Sequence, residues 1–160
     1  MRSNTIFVSL CLLGVKCRYD GSSKFNPQIL NLAQRFNILG MCPEIEAGLK
    51  IPHLPLEIRG SYKNILKGES KIVSKEGEDL TAPLLNACFR ILSVIKSLDI
   101  NICILKSKSP LCGKGKIYDG SFKGRLIKGD GLLSFILEKN GIKVISDEEF
   151  NKCGFRKVIF

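Results

Sequence analysis

Apolar residues arrive in short, near-continuous runs, separated by stretches of helical period. Residues 5–10, Thr-Ile-Phe-Val-Ser-Leu, read as a buried strand. Such runs suit a parallel sheet covered on both faces. Asp20-Gly21 marks a turn. Asn26 then caps a helix opened by Pro27, with Ile29, Ala33 and Phe36 on one face. A second strand spans 37–42 and ends at Cys42. Thr81 caps a long helix to about Leu98, with Leu84 or Leu85, Cys88, Ile91 or Leu92, Ile95 and Leu98 as its apolar face. A third strand covers 100–105. Asp130 caps a helix that ends near Gly141, a typical C′ glycine. A fourth strand follows at 142–145. Ser146 and Glu149 form a capping box for a short last helix.

Two segments lack period. Residues 43–72 carry Pro43, Pro52, Pro55, Gly48, Gly60 and Gly68 and read as an irregular cover. Lys106 to about Asp130 is a loop rich in Lys, Ser and Gly. Long irregular segments inside a compact domain are usually functional. Strands that alternate with helices predict the α/β class: a three-layer, Rossmann-like fold with a mainly parallel sheet of about four to five strands and helices on both faces. One domain is expected over 1–160. Ligands in such folds sit beyond the carboxyl ends of the strands.

Composition narrows the chemistry. Hydrophobic residues make up 44% and charged residues 25%, which excludes a disordered or fibrous chain. His53 is the only histidine, so a histidine cluster is excluded. The net charge of +10 admits nucleic acid or anionic ligands as partners. Yet no run of five basic residues occurs, and the aromatic residues are scattered, which counts against a dedicated RNA-binding module. The start, with Arg2 before an apolar run, has a signal-like look. It lacks a small-x-small cleavage site, and a first core strand explains it better. No stretch is long enough to span a membrane.

Seven cysteines are an odd number at uneven spacing, so a disulfide framework fits poorly. A reducing, cytoplasmic setting is expected. Cys11 ends the first strand, Cys42 ends the second, and Cys112 lies in the loop after the third. All three therefore fall at the edge where α/β sheets bind ligands. Thiolates of this kind suit zinc or an iron–sulfur cluster. Cys88 and Cys103 fall on core-facing positions and read as filler. Cys153 reads as incidental. Cys17, in a loop, competes as a spare thiol. Lys106, Lys108, Lys114 and Lys116 surround Cys112 and would favour its thiolate. Ser109 offers a hydroxyl there. Glu44, two residues from Cys42, is placed for general acid or base work.

These residues carry a resemblance. Val8-Ser9-Leu10-Cys11-Leu12-Leu13-Gly14 with Arg18-Tyr19-Asp20-Gly21 is followed by Cys42-Pro43-Glu44-Ile45-Glu46-Ala47-Gly48-Leu49. Glu57-Ile58-Arg59, Glu76-Gly77-Glu78-Asp79-Leu80-Thr81, Leu105-Lys106-Ser107-Lys108-Ser109-Pro110-Leu111-Cys112-Gly113, Ile117-Tyr118-Asp119-Gly120-Ser121-Phe122 and Gly129-Asp130-Gly131 continue the series. The chain resembles the family of small bacterial proteins that includes the iron–sulfur thiouracil desulfidases. The resemblance implies a [4Fe–4S] cluster held by Cys11, Cys42 and Cys112, with one iron open to the sulfur of a thiolated nucleobase. It implies that Glu44 and Ser109 handle protons, that the sulfur leaves as hydrosulfide and that water supplies the replacing oxygen. Lys108 and Arg59 are candidates to hold anionic parts of the substrate. A small thiolated base is the expected partner, with RNA contact and oligomeric state left open. The alternative is a non-catalytic or regulatory iron–sulfur or zinc protein using the same cysteines. Ala47 and the stretch Lys50-Ile51-Pro52-His53-Leu54-Pro55 depart from the family pattern and are expected to shape the pocket.

Overall fold

The computed structural model describes residues 4–159. Met1–Ser3, and with them the Arg2 of the signal-like reading, lie outside the described residues. In chain order these form β1 (Thr5–Ser9), α1 (Pro27–Leu30), β2 (Asn37–Met41), α2 (Pro43–Glu46), β3 (Leu56–Arg59), β4 (Lys71–Ser74), α3 (Thr81–Ser97), β5 (Ile102–Leu105), β6 (Lys116–Tyr118), β7 (Leu126–Lys128), α4 (Leu132–Lys139), β8 (Lys143–Ser146) and α5 (Asp147–Ile159). The central sheet has the order β2-β1-β5-β8, and every neighbouring pair is parallel. The fold is α/β, as the alternation of runs predicts.

Burial on both faces explains the unbroken apolar runs. Successive side chains of a strand point to opposite faces. Phe7 of β1 packs with Cys103, Leu105 and the α3 residues Cys88, Ile91 and Ile95. Ile6 and Val8 pack the other way, with Ile104, Ile145, Ile29, Leu32 and Phe150. Each such fully buried side chain contributes about 1.5–3 kcal/mol. Among the described residues no helix is long and apolar enough to cross a membrane.

Several expected details differ. The irregular cover at 43–72 contains α2 and an antiparallel hairpin, β3–β4. Leu56, Glu57 and Ile58 are all buried, so no polar–apolar alternation marks the strand. The loop after β5 likewise holds the β6–β7 hairpin, whose strands are only three residues each. Thr81 does not cap α3; Leu80 stands at that position. Thr81 Oγ1 instead accepts the Ile72 N–H at 2.9 Å and donates to Asp79 at 2.6 Å, tying β4 to the helix. Asp130 does not cap α4 either; it accepts the Gly115 N–H at 2.8 Å, and Gly131 holds the cap position. Ala33 is exposed, and Leu32 is buried instead. The chain tightens into a 3₁₀ turn over Asn31–Gln34, and three residues per turn place Leu32 over Ile29. Leu98 is exposed beyond the last turn of α3. The last helix is longer than expected, with Gly154 in a non-helical conformation inside it. Asn26 caps α1 as predicted, accepting from Gln28 and Ile29, and Ser146 accepts the Glu149 N–H at 3.0 Å.

The N-terminus of α4 clamps the loop after β5. Leu132 N–H donates to Pro110 O, Leu133 N–H to Leu111 O and Gly131 N–H to Gly113 O. The approach is so close that a Cβ on Gly131 would collide with the Leu111 carbonyl. Gly131→Ala is therefore expected to lose about 1–3 kcal/mol, read as a lower midpoint in chemical denaturation. An unchanged midpoint would show that the clamp yields freely.

Candidate functional site

β1 leads to β2 on one side, and the chain later returns to β5 on the other. The carboxyl ends of β1, β2 and β5 meet at this reversal, where α/β sheets open a crevice. A cavity of about 480 Å³ lies there. Cys11, Cys42, Cys112, Glu44 and Ser109, predicted from separate parts of the chain, all line it. So does Cys17, which is buried and not a spare loop thiol. All seven cysteines are free, Cys88 and Cys103 are buried in the core, and Cys153 is exposed.

Each cysteine is held by a different device. Cys11 sits in a 3₁₀ turn, Leu10–Leu13, immediately after β1. Cys42 is the residue before Pro43 in the one-turn helix α2, and the backbone N–H groups of Glu44 and Ile45 point at its sulfur. Cys112 is fixed through its backbone. Ser109 Oγ accepts the N–H of Leu111 and of Cys112, both at 3.1 Å. The buried Ser134 of α4 donates to the Cys112 carbonyl at 2.8 Å.

The thiols differ in their ease of ionisation. Cys17 lies within reach of both Cys11 and Cys42, and its single S–H donates to one of them at a time, while the Cys42 thiol reaches the Cys17 carbonyl at 4.0 Å. That donation is the main cause holding Cys11 and Cys42 below the ordinary thiol range, helped at Cys11 by Lys106 and Arg18. Cys17 itself is pushed far up, so it keeps its proton. Burial pushes Cys112 up as well, and a hydrogen bond from Ser9 works against that rise. In the core, burial raises Cys88 to about 12, as expected of an inert thiol.

Sequence reading did not single out Ser9 or Cys17 in these roles. Ser9 is a buried hydroxyl in an apolar strand, and its Oγ also accepts the Lys106 N–H at 3.0 Å. A lone polar residue at a strand end was its only signal. Lys108 lines the cavity, but its ammonium pairs with Glu148 at 3.0 Å. Arg59 is exposed at the end of β3 and is not among the cavity's lining residues. From the same strand, Glu57 lines the cavity and accepts the Phe122 N–H at 3.0 Å, seating the β6–β7 turn beside it.

Four thiols at one cavity form a soft donor set. Among the described residues, no three Cys, His, Asp or Glu side chains stand close enough to share one ion. The family model for 2-thiouracil desulfurase matches residues 6–149. The chain belongs to the 2-thiouracil desulfurase family. An uncharacterised Bacillus subtilis (strain 168) protein, YbbK, is 38% identical over 147 residues, covering 91% of this chain and 97% of its own. The solved structure of the [4Fe–4S]-dependent thiouracil desulfidase TudS superposes with a TM-score of 0.82 at 31% identity, covering all of both chains.

Removing the Cys17 thiol takes away the donor shared between Cys11 and Cys42. Cys17→Ala is expected to raise the pKa of Cys11 and Cys42, so that both alkylate several-fold more slowly at neutral pH in the metal-free chain. Peptide mass analysis after timed iodoacetamide treatment reads this directly. Unchanged rates would show that Cys17 does not set their ionisation.

Proposed function

We propose that this chain is a desulfidase that replaces the sulfur of a thiouracil-like base with oxygen from water, acting in the cytoplasm as a single domain over 1–160. The observation that carries this reading is the convergence of Cys11, Cys42, Cys112, Glu44 and Ser109 on one cavity in a member of this family. Cys11, Cys42 and Cys112 would hold a [4Fe–4S] cluster. The donor set fits: the thiols reach the cavity from three chain-distant loops, and Cys11 and Cys42 are held below the ordinary thiol range. When bound, such a cluster supplies an iron without a cysteine ligand, a Lewis acid with affinity for a thiocarbonyl sulfur.

The chain's own groups supply the remaining chemistry. Glu44 is placed to take a proton from the attacking water as general base. Ser109 already accepts two backbone N–H groups, so its own hydroxyl proton is left to donate into the cavity. Lys106 and Arg18 add positive charge beside Cys11. The exchange needs no electrons: thiocarbonyl and water give carbonyl and hydrosulfide plus a proton.

Anaerobic purification with iron and sulfide analysis tests the reading. About four irons and four sulfides per chain are expected, lost in Cys112→Ser, together with release of sulfide from thiouracil. Glu44→Gln is expected to keep iron while losing at least about a hundredfold in turnover. An iron-free chain after anaerobic reconstitution would sink the reading, and full activity in the glutamine variant would remove Glu44 from it.

A further inference from the structure

Glu44 stands on the one-turn helix α2. His53 meets its carboxylate. Its Nε2 lies 3.1 Å from Glu44 Oε2, and its Nδ1 lies 2.8 Å from the Leu54 carbonyl. A carbonyl only accepts, so Nδ1 must carry a proton. Nε2 therefore meets Oε2 either as an N–H donor to a carboxylate or as an acceptor from a carboxyl. The form of Glu44 that can act as a base is the carboxylate, so the working pair is an imidazolium that donates from both ring nitrogens, Nε2 to Glu44 and Nδ1 to Leu54.

The ring is held from other directions as well. The His53 backbone N–H donates to Tyr19 O at 2.8 Å, which ties the segment to the loop that follows Cys17. The Tyr19 ring flanks the imidazole, with centroids 6.4 Å apart. The His53 and Glu44 side chains are only 13% and 16% exposed, so water competes weakly for the contact. Glu44 Oε1 meets no protein donor among the described residues.

We propose that His53 is the positioning residue of Glu44: it grips Oε2 and leaves Oε1 for the reacting water in the cavity. This rests on the desulfidase reading for its consequence in turnover, though not for the contact itself. A general base must sit within hydrogen-bond reach of the proton it takes, and loss of orientation is costly in rate.

The test uses the full chain, reconstituted anaerobically and assayed with thiouracil. His53→Ala is expected to lower kcat by about tenfold or more while KM and iron content stay unchanged. His53→Gln is expected to regain most of the loss, because an amide N–H can donate to the same oxygen. A wild-type kcat in His53→Ala, or an equal loss in both variants, overturns the proposal. An independent readout needs no turnover. The chain has a single histidine, so the ¹⁵N spectrum of its ring, taken before reconstitution, reports His53 alone. Glu44→Gln is expected to shift the Nε2 signal while Nδ1 stays protonated. A ring indifferent to Glu44→Gln overturns the proposal. A wild-type chain without thiouracil turnover would sink the desulfidase reading, and the ring spectrum would still decide the contact.

Discussion

Parallel pairing of β1 with both β2 and β5 is the constraint on which the site depends. It forces three carboxyl ends to one edge, so loops that are far apart in sequence must leave the sheet together. Ser9 opposes Met41 in the β1–β2 register, and its hydroxyl accepts the Lys106 N–H just past β5. One side chain thus ties the exits of β1 and β5. Because both faces of β1 are buried, a slip in register would have to repack two cores at once. The rigid sheet leaves the chemistry to the loops it positions.

The loops are then fixed in different ways, and the difference has electrostatic consequences. The Cys112 loop is pinned from beneath by α4 and laterally by α5, whose Asp147 accepts the Ser107 N–H at 2.7 Å. That pinning buries the Cys112 thiol, and burial disfavours its thiolate. Cys11 and Cys42 face the opposite balance, since donors outweigh desolvation there. Without a bound cation the site thus favours ionisation at two thiols and resists it at the third. A positively charged group that bridged all three would offset the desolvation at Cys112, and its binding would release a proton from that thiol.

The strands of the central sheet were legible because two-sided burial writes an unmistakable apolar run. The convergence of Cys11, Cys42 and Cys112 was legible because parallel topology leaves no other edge for strand ends. The hairpins were not. Glu57 is a buried carboxylate in β3, and it accepts a backbone N–H from Phe122, sixty-five residues away. No local pattern announces such a partner. Thr81 and Asp130 looked like caps because Thr and Asp favour caps; here their oxygens serve neighbouring strands and loops. Cys17 looked like a loop thiol because its neighbours in space, Cys11 and Cys42, come from either side of the β1–β2 connection.

His53 belongs to the same class of long-range relation. In the sequence it sits in Lys50-Ile51-Pro52-His53-Leu54-Pro55, the stretch that departs from the family pattern and was expected to shape the pocket. In the fold the same stretch reaches Glu44, two residues from Cys42. Its backbone is anchored to Tyr19, and the loop carrying Tyr19 also carries Arg18 and Cys17, which adjust Cys11. A change in 50–55 therefore acts on the cavity along two routes: through the carboxylate it grips, and through the loop it is tied to. Sequence changes in this stretch are thereby coupled to the Glu44 carboxylate as well as to pocket shape.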